Sequence, residues 1–186
     1  MAAGSLTDRM IRASRLDINL YEEVEADSSL TGQAFRVILL VSLATGIGSG
    51  ITGVAANGGA WFIWGLLIGL VSSVIGWLAW SFLVYLIGTT IFKTSETKTT
   101  WGELLRTIGF ANSPGVLRIF SFIPVLGGLL SFAVTIWTLF AGVIAVRQAL
   151  DFSTGRAIAT CVAGWIINAI ILFLITRLVF GNSAFF

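Results

Sequence analysis

VILLVSLATGIGSGITGVAANGGAWFIWGLLIGLVSSVIGWLAWSFLVYLIGTTIF, residues 37–92, contains no Lys, Arg, Asp or Glu. One water-soluble core has too little interior to hide an uncharged run of that length. A bilayer core of ~30 Å takes about 20 apolar residues as a helix, so the run supplies two membrane spans. The Asn57-Gly58-Gly59 triplet divides it with a short turn signal. The expected spans are 36–56 and 61–92. As one helix the second exceeds the hydrocarbon core, so it must tilt, kink at Gly76 or protrude.

Outward from this run the same composition continues. Only 11% of the 186 residues are charged, against about 25% in an average soluble domain. Residues 125–150 and 157–180 form two further apolar runs, and Lys93 to Glu103 (KTSETKTTWGE) is a polar loop. Residues 104–123 are ambiguous. They are apolar enough to cross, yet they carry Arg106, Arg118 and a break at Asn112-Ser113-Pro114-Gly115. Loop charge arbitrates. Arg9, Arg12, Arg15 and Arg36 place the N-terminus in the cytoplasm, because short basic segments stay on that side. If 104–123 crosses, Lys93, Lys98, Arg106, Arg147 and Arg156 are cytoplasmic too. The expected fold is therefore all-α: a polytopic transmembrane bundle of five spans, with its C-terminus outside and Arg177 snorkelling to the outer interface. The setting that fits is a prokaryotic inner membrane.

Residues 1–35 form a cytoplasmic arm before the membrane domain of 36–186. Its first part mixes Arg with acids and lacks an apolar core, so it is not a signal peptide. Leu6, Met10, Ala13, Leu20 and Val24 recur at helical spacing and predict an amphipathic helix within residues 5–25. Arg9, Arg12 and Arg15 then face anionic headgroups. Glu22, Glu23, Glu25 and Asp27 read as a solvated acidic segment.

Several function classes are excluded by residue content. The formal charge is +2 and the cations are scattered, which does not suit nucleic acid. There is no His, the commonest general base and metal ligand. Cys161 is the only cysteine, so no intrachain disulfide or thiolate cluster forms, and its place near the start of an apolar helix reads as inert packing. Ser and Thr nucleophiles need a base, and the acids all lie outside the apolar runs. No cofactor, no metal and no enzyme activity are expected.

Gly48-Ser49-Gly50-Ile51-Thr52-Gly53 matches G-x-G-x-x-G, but a nucleotide fingerprint needs a preceding strand and a later acid. Inside an apolar span the glycines are helix-packing residues instead: Gly46, Gly50 and Gly53 in the first span, Gly65, Gly69 and Gly76 in the second. Ala141, Ala145 and Ala149 repeat the pattern in the fourth. Charged groups near membrane depth are costly and pair. Glu103, Arg106, Arg147, Asp151 and Arg156 therefore form a cytoplasmic patch, either a clamp between loops or a docking or lipid-headgroup surface. Arg147 and Asp151, four apart, are expected to pair on one helical face. Asn112, Pro114, Gly115 and Arg118 mark a broken-helix segment, and Asn168 is an interhelical hydrogen-bonder.

The stretches Trp101-Gly102-Glu103-Leu104-Leu105-Arg106-Thr107-Ile108-Gly109-Phe110-Ala111, Ser113-Pro114-Gly115-Val116-Leu117 and Ile123-Pro124-Val125-Leu126-Gly127 are followed by Ala145-Val146-Arg147-Gln148-Ala149-Leu150-Asp151, Ser153-Thr154 and Arg156-Ala157, and the order and spacing of their polar and Pro-Gly positions form a pattern. With them the chain resembles the Yip (Ypt-interacting protein) domain family of five-span membrane proteins. The resemblance covers about Leu20 to Asn182 and implies five spans with a cytoplasmic N-terminus. Eukaryotic members act in vesicle traffic and contact small GTPases through a longer N-terminal region. Here only about 35 residues precede the first span, so the resemblance does not carry a GTPase contact over. Leu20–Gln33 (LYEEVEADSSLTGQ) is similar to short prokaryotic-type members.

Together these readings predict a non-enzymatic integral membrane protein that scaffolds partners or organises membrane. Its partners would be membrane lipids and other membrane proteins, a large complex or a second copy of itself. The alternatives are an accessory subunit of a larger, energy-converting membrane complex, and a small transporter or channel lined by the broken segment.

Overall fold

The computed structural model describes residues 4–95 and 97–180. Those residues are helical, with no strand among them. The elements are α1 (Leu6–Ser14), α2 (Ile18–Ala26), a 3-10 turn (Ser28–Leu30), α3 (Thr31–Asn57), α4 (Ala60–Thr90), α5 (Trp101–Ala111), a 3-10 segment (Ser113–Phe122), α6 (Leu126–Ala149) and α7 (Thr154–Phe180). Helices α3, α4, α6 and α7 are each long and apolar enough to cross a membrane. Their limits match the expected spans closely, because hydropathy and the Gly58 turn dictate them. Gly58 takes φ 81 at the end of α3, a left-handed value that costs glycine little. The C-terminus, expected outside the membrane, falls on residues 181–186, outside the described residues.

The ambiguous 104–123 segment is not one helix. Thr100 and Glu103 form a capping box that starts α5. Asn112 ends it, donating its side-chain amide to Ile108 O at 2.8 Å. Pro114 carries no N–H and its ring would clash in a continuing α-helix, so the chain goes on as a 3-10 segment. The broken unit tracks α3 in the same direction. A Cβ on Gly109 would lie 2.8 Å from Ala34 Cβ, one on Gly115 2.6 Å from Val41, and one on Gly48 2.4 Å from Arg118 O. From Ala34 to Gly48 α3 rises about 21 Å, two thirds of a hydrocarbon core. The chain thus runs along the bundle five times: four times as continuous helix and once, third in order, as a broken one.

Neighbouring ends agree with that path. Gly88, near the end of α4, lies against Leu150, just past the end of α6. Gly164, ten residues into α7, lies against Trp80 and Ile87 of α4. The buried core is concentrated at the end of the bundle that carries the arm: Leu20, Tyr21, Val24, Val37, Val84, Leu104, Phe110, Ala145 and Leu150 meet there. Ala141, Ala145 and Ala149 are buried, as their spacing indicates.

The arm is two helices, not one. Ser5 caps α1 and Asp17 caps α2, and Leu16 turns the chain between them at φ 61. Leu20 and Val24 are buried as expected, but two of the three arginines do not face a membrane surface. Arg9 is buried and bonds Glu23 at 2.8 Å, Gln33 Oε1 at 3.1 Å and Gly4 O. Arg12 bonds Asp17 at 2.8 Å and Glu23 at 2.7 Å. The acidic segment supplies these partners, so neither group is free for headgroups. Only Arg15 stays exposed. Tyr21 donates to Ala13 O at 3.2 Å, and Trp137 Nε1 to Ser14 O at 2.7 Å. Trp137 is near the middle of α6, so α1 reaches about halfway along the bundle.

Candidate functional site

The predicted cytoplasmic patch is divided among three tasks. Glu103 accepts from Thr100 N at 2.9 Å and closes the capping box. Arg106 is only 6% exposed. Its Nε donates to Val24 O at 2.6 Å, and its NH2 donates to Glu25 O. These are the last carbonyls of α2, which have no partners within the helix and carry its negative dipole end. Arg106 is therefore a clasp for the arm. Asp151 and Arg156 line a polar cavity of about 390 Å³ together with Lys93, Thr94 and Ser95.

The expected Arg147–Asp151 pair does not form. Helix α6 ends at Ala149 and Asp151 sits at φ 51, so the four-residue register is lost before Asp151 is reached. The ion pairs among the described residues join Arg9 and Arg12 to Glu23, and Arg12 to Asp17. Burial opposes ionisation of Glu23, yet bonds from Arg12 and Arg9 leave its carboxyl below the usual range. Glu25 goes the other way. Burial, reinforced by Asp151 and Glu103, lifts its carboxyl to about 7 against the pull of Arg106.

The glycines separate into two groups. Gly46 and Gly50 pack inside: a Cβ would lie 2.7 Å from Leu66 Cδ1 at the first and 2.4 Å from the Phe62 ring at the second. Gly53 lies on α3 beyond them. Gly48, absent from the predicted ridge, makes a closer backbone approach than Gly46 or Gly50, against the carbonyls of Arg118 and Ile119. By contrast, Cβ atoms on Gly65, Gly69 and Gly76 would meet nothing within 4 Å. Gly65 and Gly69 do not pack the bundle internally and face open space, while Gly76 lines a cavity beside Ser42, Thr45 and Ser73. Asn168 also departs from expectation. It lies near the midpoint of α7, exposed, and makes no side-chain hydrogen bond among the described residues.

The broken pass builds the most polar region at membrane depth. Two cavities meet at Asn112. One, of about 270 Å³, is lined by Ser42, Thr45, Ser73, Gly76, Asn112 and Arg118 among others. The second, of about 240 Å³, includes Asn112, Thr135, Thr138, Cys161 and Trp165. Trp80 and Ile108 line both. Arg118 NH2 donates to Thr135 Oγ1 at 3.2 Å, and no ion pair to Arg118 exists among the described residues. Pro114 and Gly115 place it: Pro114 sets the 3-10 path, and Gly115 lets that path close onto Val41. Of the predicted residues, Asn112 and Arg118 thus line one cavity, Asp151 and Arg156 line another, and Glu103, Arg106 and Asp151 all act on Glu25. Among the described residues, no group of three or more His, Cys, Asp and Glu side chains is placed to hold a metal.

A family model, described as the Yip1 domain, matches residues 19–176. No curated protein and no solved structure matches the chain. The match begins inside α2 and ends inside α7, so it takes in the clasped part of the arm, the broken pass and every long apolar helix. With four membrane-length helices and this match over most of its length, the chain is a multi-pass integral membrane protein and belongs to the Yip1 domain family.

Proposed function

We infer that this protein is a non-enzymatic scaffold that associates with other helices inside the membrane, its arm end being cytoplasmic and its setting a prokaryotic inner membrane. The observation that carries this reading is Asn168. A side-chain amide halfway along a membrane helix has no water to satisfy it, and such groups associate with polar partners on neighbouring helices. Within the chain Asn168 has none among the described residues. The open Gly65-x-x-x-Gly69 face of α4 supports the same reading, because small residues let a second backbone approach closely. A second copy and a different membrane protein both satisfy this surface. Fixed-stoichiometry co-purification distinguishes a subunit of a larger complex from a free scaffold.

Cross-linking and light scattering in mild detergent test it. The native chain should form a dimer or retain a partner. Asn168→Leu should weaken that association roughly fivefold, the effect of about 1 kcal/mol for one membrane hydrogen bond. A strictly monomeric native protein with no retained partner contradicts the reading.

A further inference from the structure

We propose that the cavity at the broken third pass binds an oxyanion, the phosphate of an anionic lipid or free phosphate, through Arg118. A cation at membrane depth is costly and ordinarily pairs with an acid. The residues lining the two cavities include no Asp or Glu. Arg118 spends one N–H on Thr135 Oγ1 and has five to give. That neutral hydroxyl, which itself donates to Ser131 O at 2.8 Å, leaves the charge uncompensated.

The surroundings are those of a donor site. Asn112 points its amide nitrogen at Ile108 O, leaving a second N–H for the cavity. The indole N–H of Trp80, which lines both cavities, has no hydrogen bond among the described residues. The Ser42 and Thr45 hydroxyls spend their hydrogens on Ile38 O and Val41 O, so they neither neutralise the arginine nor donate to the anion, and the donors are Arg118, Asn112 and Trp80. The backbone position of Arg118 is also enforced. Its carbonyl lies against Gly48, where any side chain would collide, and so the guanidinium is held at this depth. Access is from the side of the bundle. Ser73 and Gly76 of α4 are exposed and also line the cavity, and nothing stands where a Gly76 side chain would be.

The experiment uses the full chain in phosphatidylcholine nanodiscs holding a minor fraction of phosphatidylglycerol. It is then extracted, washed and weighed by native mass spectrometry. The native chain should retain one phosphatidylglycerol. Arg118→Gln should lower retention roughly tenfold or more, the loss of a charge-assisted hydrogen bond to an anion, and Arg118→Lys should restore part of it. Gly76→Leu fills the opening while leaving the charge in place. It should also abolish retention, and it serves if Arg118→Gln fails to fold. Inorganic phosphate is added in a second arm. Displacement of the lipid, or phosphate-dependent tryptophan quenching lost in Arg118→Gln, identifies free phosphate as the source. Lipid retention that phosphate does not alter identifies the lipid. Equal retention by the native chain and all three variants, or no binding of either probe, overturns the proposal.

Discussion

Arg106 holds the carbonyl of Val24 at 2.6 Å, tying the first turns of α5 to the end of α2 across the whole of α3 and α4. A buried guanidinium here faces carbonyls, not a carboxylate, so the contact depends on the helix end being present and correctly oriented. Arg106→Ala removes two charged-donor bonds and leaves the α2 carbonyls unpaired, a loss of about 3 kcal/mol. Amide exchange within residues 18–26 should rise strongly, while the apolar helices stay protected. Unchanged protection of α2 would show that the clasp does not hold the arm.

The same junction is pH-sensitive through Glu25. Its carboxyl is raised to about 7 from the ordinary 4.5 by burial, then by Asp151, Glu103 and Glu22, with Arg106 opposing. A raised acid binds its proton more tightly in the folded state. The docked arm therefore has its full stability below about pH 4.5 and loses part of it as pH rises through about 7. Exchange protection of α2, corrected for intrinsic rates, should be greater at pH 5 than at pH 8. Glu25→Gln should flatten that difference and raise protection at pH 8.

Gly48 and Gly32 make a matched pair on α3. A Cβ at Gly48 would sit 2.4 Å from both Arg118 O and Ser121 Oγ, whereas one at Gly32 meets nothing within 4 Å. Gly48→Ala should lower the melting temperature and loosen residues 113–122. Gly32→Ala should be neutral or stabilising by up to about 1 kcal/mol, since alanine suits a helix better. Equal effects of the two would remove the argument that Gly48 positions the broken pass.

Val125 sits at φ 65, ψ −56, with Leu126 N bonded to Pro124 O at 2.7 Å, a strained γ-turn occupied by a β-branched residue. Its side chain is almost wholly exposed and contributes little packing. Val125→Gly should therefore stabilise the protein by about 1 kcal/mol, visible as a higher melting temperature. A lower one would mean the side chain has a partner worth more than the strain.

The continuous spans were legible because hydropathy acts on each helix alone. Residues 104–123 were ambiguous for a physical reason: Pro114 and Asn112 forbid one α-helix without forbidding a crossing. The partner of Arg106 was not legible, because it is a helix end eighty residues away and not an opposite charge. Glycine spacing marked smooth faces on α3 and α4 alike, but it carries no information on which way a face points. Gly50 packed on Phe62 and Gly69 facing open space look the same in sequence. The Asn112–Arg118 cavity was half legible. Both residues stood out as polar at membrane depth, but Thr135 and Trp80, which complete their surroundings, come from helices that only the fold brings near.

The five-pass topology turns on a third pass that crosses while broken. The most direct measurement places single cysteines in a Cys161→Ala background at Ser95, before that pass, and at Val125, after it; both positions are exposed. Intact oriented vesicles are then labelled with a membrane-impermeant thiol reagent, with and without permeabilisation. The two positions should label from opposite faces of the membrane. Labelling of both from the same face would contradict that topology.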